Sequence, residues 1–130
     1  MEKSIHRWII FFTDREDRYW FDMFTRPGFR HCCIAGYVEG LEHWIGFDWG
    51  KKGTYMNILS DKDINRIILY TRKNKGRMLE ITKPYTMFNN WSWIPMYCVS
   101  VIKSLIGYKN YFVITPYQLY CALKKDAKEV

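Results

Sequence analysis

Apolar side chains fall in short, separated runs along this chain, and their spacing predicts alternating strands and helices. Trp8 to Phe12 is apolar at every position, so Arg7 to Phe12 is expected to be a strand buried on both faces. Asp14 to Phe24 mixes charges and aromatics and reads as a short helix or an irregular packed loop. Arg26-Pro27-Gly28 is a turn leading into a second strand. There His31, Cys33, Ala35 and Tyr37 alternate with Cys32, Ile34, Gly36 and Val38, so the two sets project from opposite faces. Glu39-Gly40 reads as a tight two-residue turn. The returning strand puts Trp44, Gly46 and Asp48 on the face of His31. Trp49 to Gly53 makes the next turn, and Thr54 to Leu59 a further strand.

The period then changes. Ser60 followed by Asp61 and Asp63 is a helix start, with a hydroxyl cap and acids in the first turn. Ile64, Ile67, Ile68 and Thr71 recur at helical spacing, and the basic run ending at Gly76 closes the helix. Arg77 to Thr82 is a short strand, and Lys83 to Ile94 an aromatic, aperiodic loop. Pro95 suits the first turn of a helix, where its missing N–H costs nothing. Val99, Ile102, Leu105 and Ile106 form that helix's apolar stripe, and Gly107 stops it. Tyr111 to Ile114 is expected to be a last strand. Thr115-Pro116 opens a final helix through Leu123, and the tail from Lys124 to Val130 is expected to fray. The expected fold class is α+β, with a small antiparallel sheet packed against helices in a single domain over residues 1–130. Residues 1–27 form an N-terminal extension with no assigned role.

Bulk composition narrows the class. Of the 130 residues, 48% are hydrophobic and 18% aromatic, which favours a folded globular protein over a disordered chain. No stretch approaches the ~18 apolar residues of a spanning helix. Trp8 to Phe12 is too short for a signal-peptide core, so a soluble protein without a secretory signal or membrane partner is expected. The net charge of +7 is dispersed, with its densest runs at Lys51-Lys52, Arg72 to Arg77 and Lys124-Lys125. Solvated loops and a helix end account for these runs, and no specific nucleic-acid partner is expected. Cysteines stand at 32, 33, 98 and 121. Adjacent Cys32 and Cys33 point to opposite faces and suit no shared bridge, and the paired spacing of closed zinc sites is absent. No metal or cofactor is expected.

With a two-residue turn, Val38 faces Leu41 and His31 stands directly opposite Asp48. Directly opposed residues have Cβ atoms about 5 Å apart on one face. A loop longer by one residue would set His31 against Trp49 instead. An imidazole facing a carboxylate is the oriented half of a catalytic triad. Cys98 is the candidate nucleophile, because the free N–H groups and dipole of a helix start favour a thiolate. Cys98 also fits a buried core position, as does Cys121. Cys33 shares the His31 face but lacks a helix terminus. His43 points away from His31 in this register. Trp44 is read as aromatic packing in preference to a cleft wall.

The order of these parts resembles the papain arrangement in permuted form. Gly28-Phe29-Arg30-His31-Cys32, Trp44-Ile45-Gly46-Phe47-Asp48, the run from Cys98 to Gly107, and Ile114 to Tyr120 are similar to segments of permuted NlpC-type papain-like cysteine hydrolases. Short members occur in bacteriophages and their bacterial hosts, and the resemblance spans residues 28 to 123. It implies a circularly permuted papain-like fold with a small antiparallel sheet on the Cys98 helix. It implies Cys98 as nucleophile, His31 as base and Asp48 as the third polar residue. The implied activity is cleavage of an amide bond in a peptide, cell-wall (peptidoglycan) peptides first. The implied location is the cytoplasm of the producing cell or the virion. The competing class is a catalytically inactive phage-type structural or host-interaction protein that keeps the fold.

Overall fold

Strand β1 (Ile5–Thr13) is the spine of a six-stranded antiparallel sheet, within a computed structural model that describes residues 5–14, 26, 28–50, 53–83, 97–108, 110 and 112–130. β2 (His31–Val38) and β5 (Arg77–Thr82) flank β1. β3 (His43–Gly50) and β4 (Gly53–Leu59) extend the β2 side, and β6 (Lys128–Glu129) completes the other edge. The strand order is β4-β3-β2-β1-β5-β6.

The apolar run in β1 has a direct cause, since each face of the strand lies in a different core. Trp8, Ile10 and Phe12 join Cys32, Ile34 and Leu79 beneath α2 (Tyr97–Ile106) and α3 (Pro116–Leu123). Ile9 and Phe11 face the other way, joining Ala35, Trp44 and Met78 against Ile64 of α1 (Asp61–Lys73). Burying a large side chain from water stabilises by about 1.5–3 kcal/mol. The result is an α+β fold, with α1 on one face of the sheet and α2 and α3 on the other.

The helix ends follow the local sequence. Ser60 caps α1 through the Asp63 N–H while the Asp63 side chain accepts from the Ser60 N–H, a reciprocal capping box. Thr115 and Gln118 repeat this device at α3. At the end of α2, Gly107 adopts φ +69°, and the Tyr108 and Gly107 N–H groups donate to the Lys103 and Ser104 carbonyls. That is the left-handed cap a glycine permits. Among the described residues no helix is long and apolar enough to cross a membrane.

Four expectations are corrected. The β2–β3 loop is Glu39 to Glu42, not the two-residue Glu39-Gly40, because pairing closes at Val38↔His43. Positive φ at Gly40 (+85°) and Glu42 (+53°) makes the wider loop possible. The residues from Phe112 to Ile114 are not a strand. Their backbone is held by side chains instead: Lys103 Nζ donates to the Val113 carbonyl, and Asn110 and Gln118 accept from the Phe112 and Ile114 N–H groups. The tail does not fray, because Lys128 and Glu129 pair with Glu80 and Leu79, and Tyr120 Oη donates to Glu129. β3 also runs on to Gly50, which pairs with Gly53 at the start of β4, so Trp49 and Gly50 are strand and not turn. The expectations for residues 15–24 and 84–94, and for Pro95, lie outside the described residues.

Candidate active site

His31 is the first residue of β2 and pairs with Thr13 of β1. The chain enters it through a turn with Gly28 at φ +87°, where the Gly28 N–H donates to Asp14 Oδ1 at 2.7 Å. Phe29 anchors this approach. Its ring centroid lies 5.0 Å from those of both Tyr117 and Tyr120 of α3, and 6.0 Å from that of Phe12. Aromatic packing two residues before His31 therefore fixes where the strand begins.

Asp48 sits on β3 opposite Tyr55 of β4. Its Oδ1 lies 2.6 Å from His31 Nε2. The two are not direct cross-strand partners. The paired β2–β3 register runs from Val38↔His43 to Ile34↔Phe47, and continuing it would place Asp48 opposite Cys33 and His31 opposite Gly50. The contact is thus diagonal, two positions away from the predicted register. An even displacement keeps both side chains on one face, whereas an odd one would have separated them.

Cys98 is the second residue of α2 and is buried against the sheet, 8% exposed, in the core that includes Cys32 and Ile34. Strand alternation turns Cys32 toward α2, with His31 and Asp48 on the α1 side. His31 stands at the strand end, beyond the last β2–β3 pair. There its Nε2 meets Asp48, and the neighbouring Cys98 bears on its protonation.

Each group alters the protonation of the other. Burial disfavours a charged His31, but hydrogen bonds to Asp48 and Cys98 and the charges of both overcome it, raising the imidazole to about 9. A hydrogen bond from the Cys32 thiol brings Cys98 well below the ordinary thiol range. Burial opposes that fall, and the hydrogen bond and charge of His31 and the Cys32 backbone N–H add to it. The two shifts run in opposite senses and favour a thiolate at Cys98 beside a charged His31.

The remaining candidates have other surroundings. Burial raises the Cys33 thiol, with the charges of Asp48 and Cys98 adding to the effect, which makes it a poor nucleophile. Cys121 packs at the margin of the α2–α3 core. His43 is at the hairpin loop, its Nδ1 2.5 Å from the Leu41 carbonyl oxygen. Trp44 is core, 3% exposed, with its ring edge-on to Tyr37 and its Nε1 donating to Asp61. Among the described residues no group of three or more His, Cys, Asp and Glu side chains could hold a metal ion. No sequence signal places Cys32 in one core with Cys98. Alternation fixes the face of Cys32, but nothing in the sequence says that α2 lands on that face.

No protein-family model, curated protein or solved structure matches this chain.

Proposed function

We propose that this chain is a thiol hydrolase that cleaves an amide bond, with Cys98 as nucleophile, His31 as base and then acid, and Asp48 as the residue orienting the imidazole. The observation that carries this reading is the 2.6 Å contact of His31 Nε2 with Asp48 Oδ1, supported by protonation shifts of opposite sense at His31 and Cys98. Asp48 engages Nε2, and in the proposed site the other ring nitrogen, Nδ1, exchanges the proton with Cys98. In the proposed reaction the Cys98 thiolate attacks the carbonyl carbon, and the oxyanion forms against the free N–H groups opening α2. His31 gives its proton to the leaving amine as the C–N bond breaks, leaving a thioester. His31 then takes a proton from water, whose oxygen attacks the thioester carbonyl, and the thiolate departs as the acid is released.

The permuted NlpC-type, papain-like arrangement is the finer fold reading we attach to this site. It is supported by an antiparallel sheet packed on the Cys98 helix and by the chain order His31, Asp48, Cys98. A peptide is the proposed substrate, with the cell-wall peptides of a phage host first. Incubation with soluble peptidoglycan peptides tests this. New amine termini should appear with the native chain and be lost in Cys98→Ala. Equal release by Cys98→Ala, or none by either, contradicts the proposal.

A second reading is a binding protein that keeps the fold without turnover. Edge strand β4 favours it, because Met56 and Ile58 are 68% and 77% exposed there. That reading expects Cys98 to react as slowly as the other cysteines.

A further inference from the structure

The two edges of the sheet are built differently. β6 is two residues long and both are charged, Lys128 and Glu129, which suits an edge that must not recruit another strand. β4, at the other edge, has no such device, and among the described residues it pairs on one side only. Its seven residues include no charge and no proline, and they pair with β3 without a bulge from Gly53 to Leu59. Tyr55, Met56 and Ile58 are exposed on it. Met56 pairs with Phe47 and Ile58 with Ile45, so alternation puts both on the face where Phe47 packs against the α2–α3 core.

Charge selects the occupant of this edge. In sequence, Lys51 and Lys52 precede β4, while Asp61 and Asp63 follow it around Lys62, so the order is basic, uncharged, then acidic in balance. Two such stretches laid antiparallel bring each basic end to an acidic one, whereas a parallel alignment sets like against like. The uncharged strand between them lets two chains of net charge +7 approach without repulsion along the paired residues. We infer that β4 pairs antiparallel with β4 of a second copy, about a twofold axis at Met56, joining the two sheets edge to edge. Gly53 then stands opposite the partner's Leu59, Tyr55 opposite the partner's Asn57, and Met56 opposite the partner's Met56. Both copies use the same edge, so only the short charged β6 edges remain outside and association stops at the dimer. The pairing uses no residue of the proposed catalytic site.

The test is molar mass by light scattering on a sizing column, across a dilution series of the native chain and Met56→Lys. The native chain should run at twice the single-chain mass and fall to that mass on dilution. Met56→Lys sets two like charges opposite each other at the axis and should weaken the dimer about 10²-fold or more. Its thermal midpoint should stay native, because the side chain is exposed. Met56→Cys reads the register independently if Met56→Lys fails to fold. Oxidation by copper–phenanthroline should link Met56→Cys into a covalent dimer on a non-reducing gel. Ile58→Cys should link no more than the native chain, since the register sets it opposite the partner's Thr54 and away from its own mate. A native chain at the single-chain mass at every concentration overturns the inference, because the edge is then covered within the chain or serves a different partner. A dimer unweakened by Met56→Lys, or equal linking through Ile58→Cys, also overturns it, because another surface or register then holds the copies together.

Discussion

His31 Nε2 and Asp48 Oδ1 lie 2.6 Å apart on neighbouring antiparallel strands without being cross-strand partners. The diagonal contact leaves the His31 ring edge free to meet Cys98, and it puts the orienting carboxylate on the solvent side, where the Asp48 side chain is 55% exposed. A polar tether outside and a buried sulfur inside is the polarity that an imidazole needs to hold its proton beside a thiolate. Replacing Asp48 with Asn keeps the shape and removes the charge. The His31 titration followed by NMR should then fall from about 9 toward the ordinary imidazole range, and amide turnover should drop by about 10²-fold. An unmoved His31 titration would remove Asp48 from the site.

Protonation of the pair also shapes stability. His31 alone, raised in the folded chain, contributes stability that is complete below pH 6.5 and lost as pH rises through about 9. Cys98, lowered in the folded chain, contributes stability that is present above its ordinary value of 9.0 and lost as pH falls toward its folded midpoint. Between 6.5 and 9 the unfolded chain carries one proton on the thiol and the folded chain one on the imidazole, so the pair adds no slope there. Below 6.5 the unfolded pair binds two protons and the folded pair one, so stability falls by up to about 1.4 kcal/mol per pH unit. Urea unfolding of the native chain relative to a His31→Ala/Cys98→Ala double variant should show this flat region and acid fall. A difference that slopes steadily from pH 6.5 to 9 would contradict the ion pair.

Lys103 is 2% exposed on α2, and its Nζ donates to the Asn110 and Val113 carbonyls at 2.8 and 2.9 Å. Lys103→Met fills the space but leaves both carbonyls without that donor, and should cost about 1–3 kcal/mol in unfolding free energy. A neutral result would show that the segment from Asn110 to Val113 does not depend on this anchor.

Gly36 on β2 is a packing site. A Cβ there would lie 2.7 Å from Trp8 Cζ3 and Ile5 Cγ2, and Trp8 is fully buried and unable to yield. Gly36→Ala should destabilise by about 1–3 kcal/mol, measured as a lowered midpoint in thermal unfolding. No change in that midpoint would contradict the tight packing of β1 on β2.

Much of the scaffold was legible because local chemistry dictated it. The unbroken apolar run at Trp8 to Phe12 announced a strand with a core on each face, and Ser60-Asp63 and Thr115-Gln118 announced their helices through capping. His31 and Asp48 were paired from a turn that is two residues too short, and the pairing survived because an even displacement preserves the face of every side chain. The β-like run misled because from Phe112 to Ile114 side chains replace a strand partner, with Lys103 on the Val113 carbonyl and Asn110 and Gln118 on the Phe112 and Ile114 N–H groups. The pairing of the tail with β5 was equally hidden, since two residues carry no periodicity. That Cys98 shares a core with Cys32 depends on how α2 docks, which only packing decides.

Cys98 alkylation against pH, in the native chain and in His31→Ala, reads out whether His31 keeps the Cys98 sulfur ionised. The native sulfur should label selectively with a midpoint well below 9.0 and a steady rate across neutral pH, and His31→Ala should move that midpoint up. An ordinary thiol profile in the native chain, unchanged by His31→Ala, would contradict it.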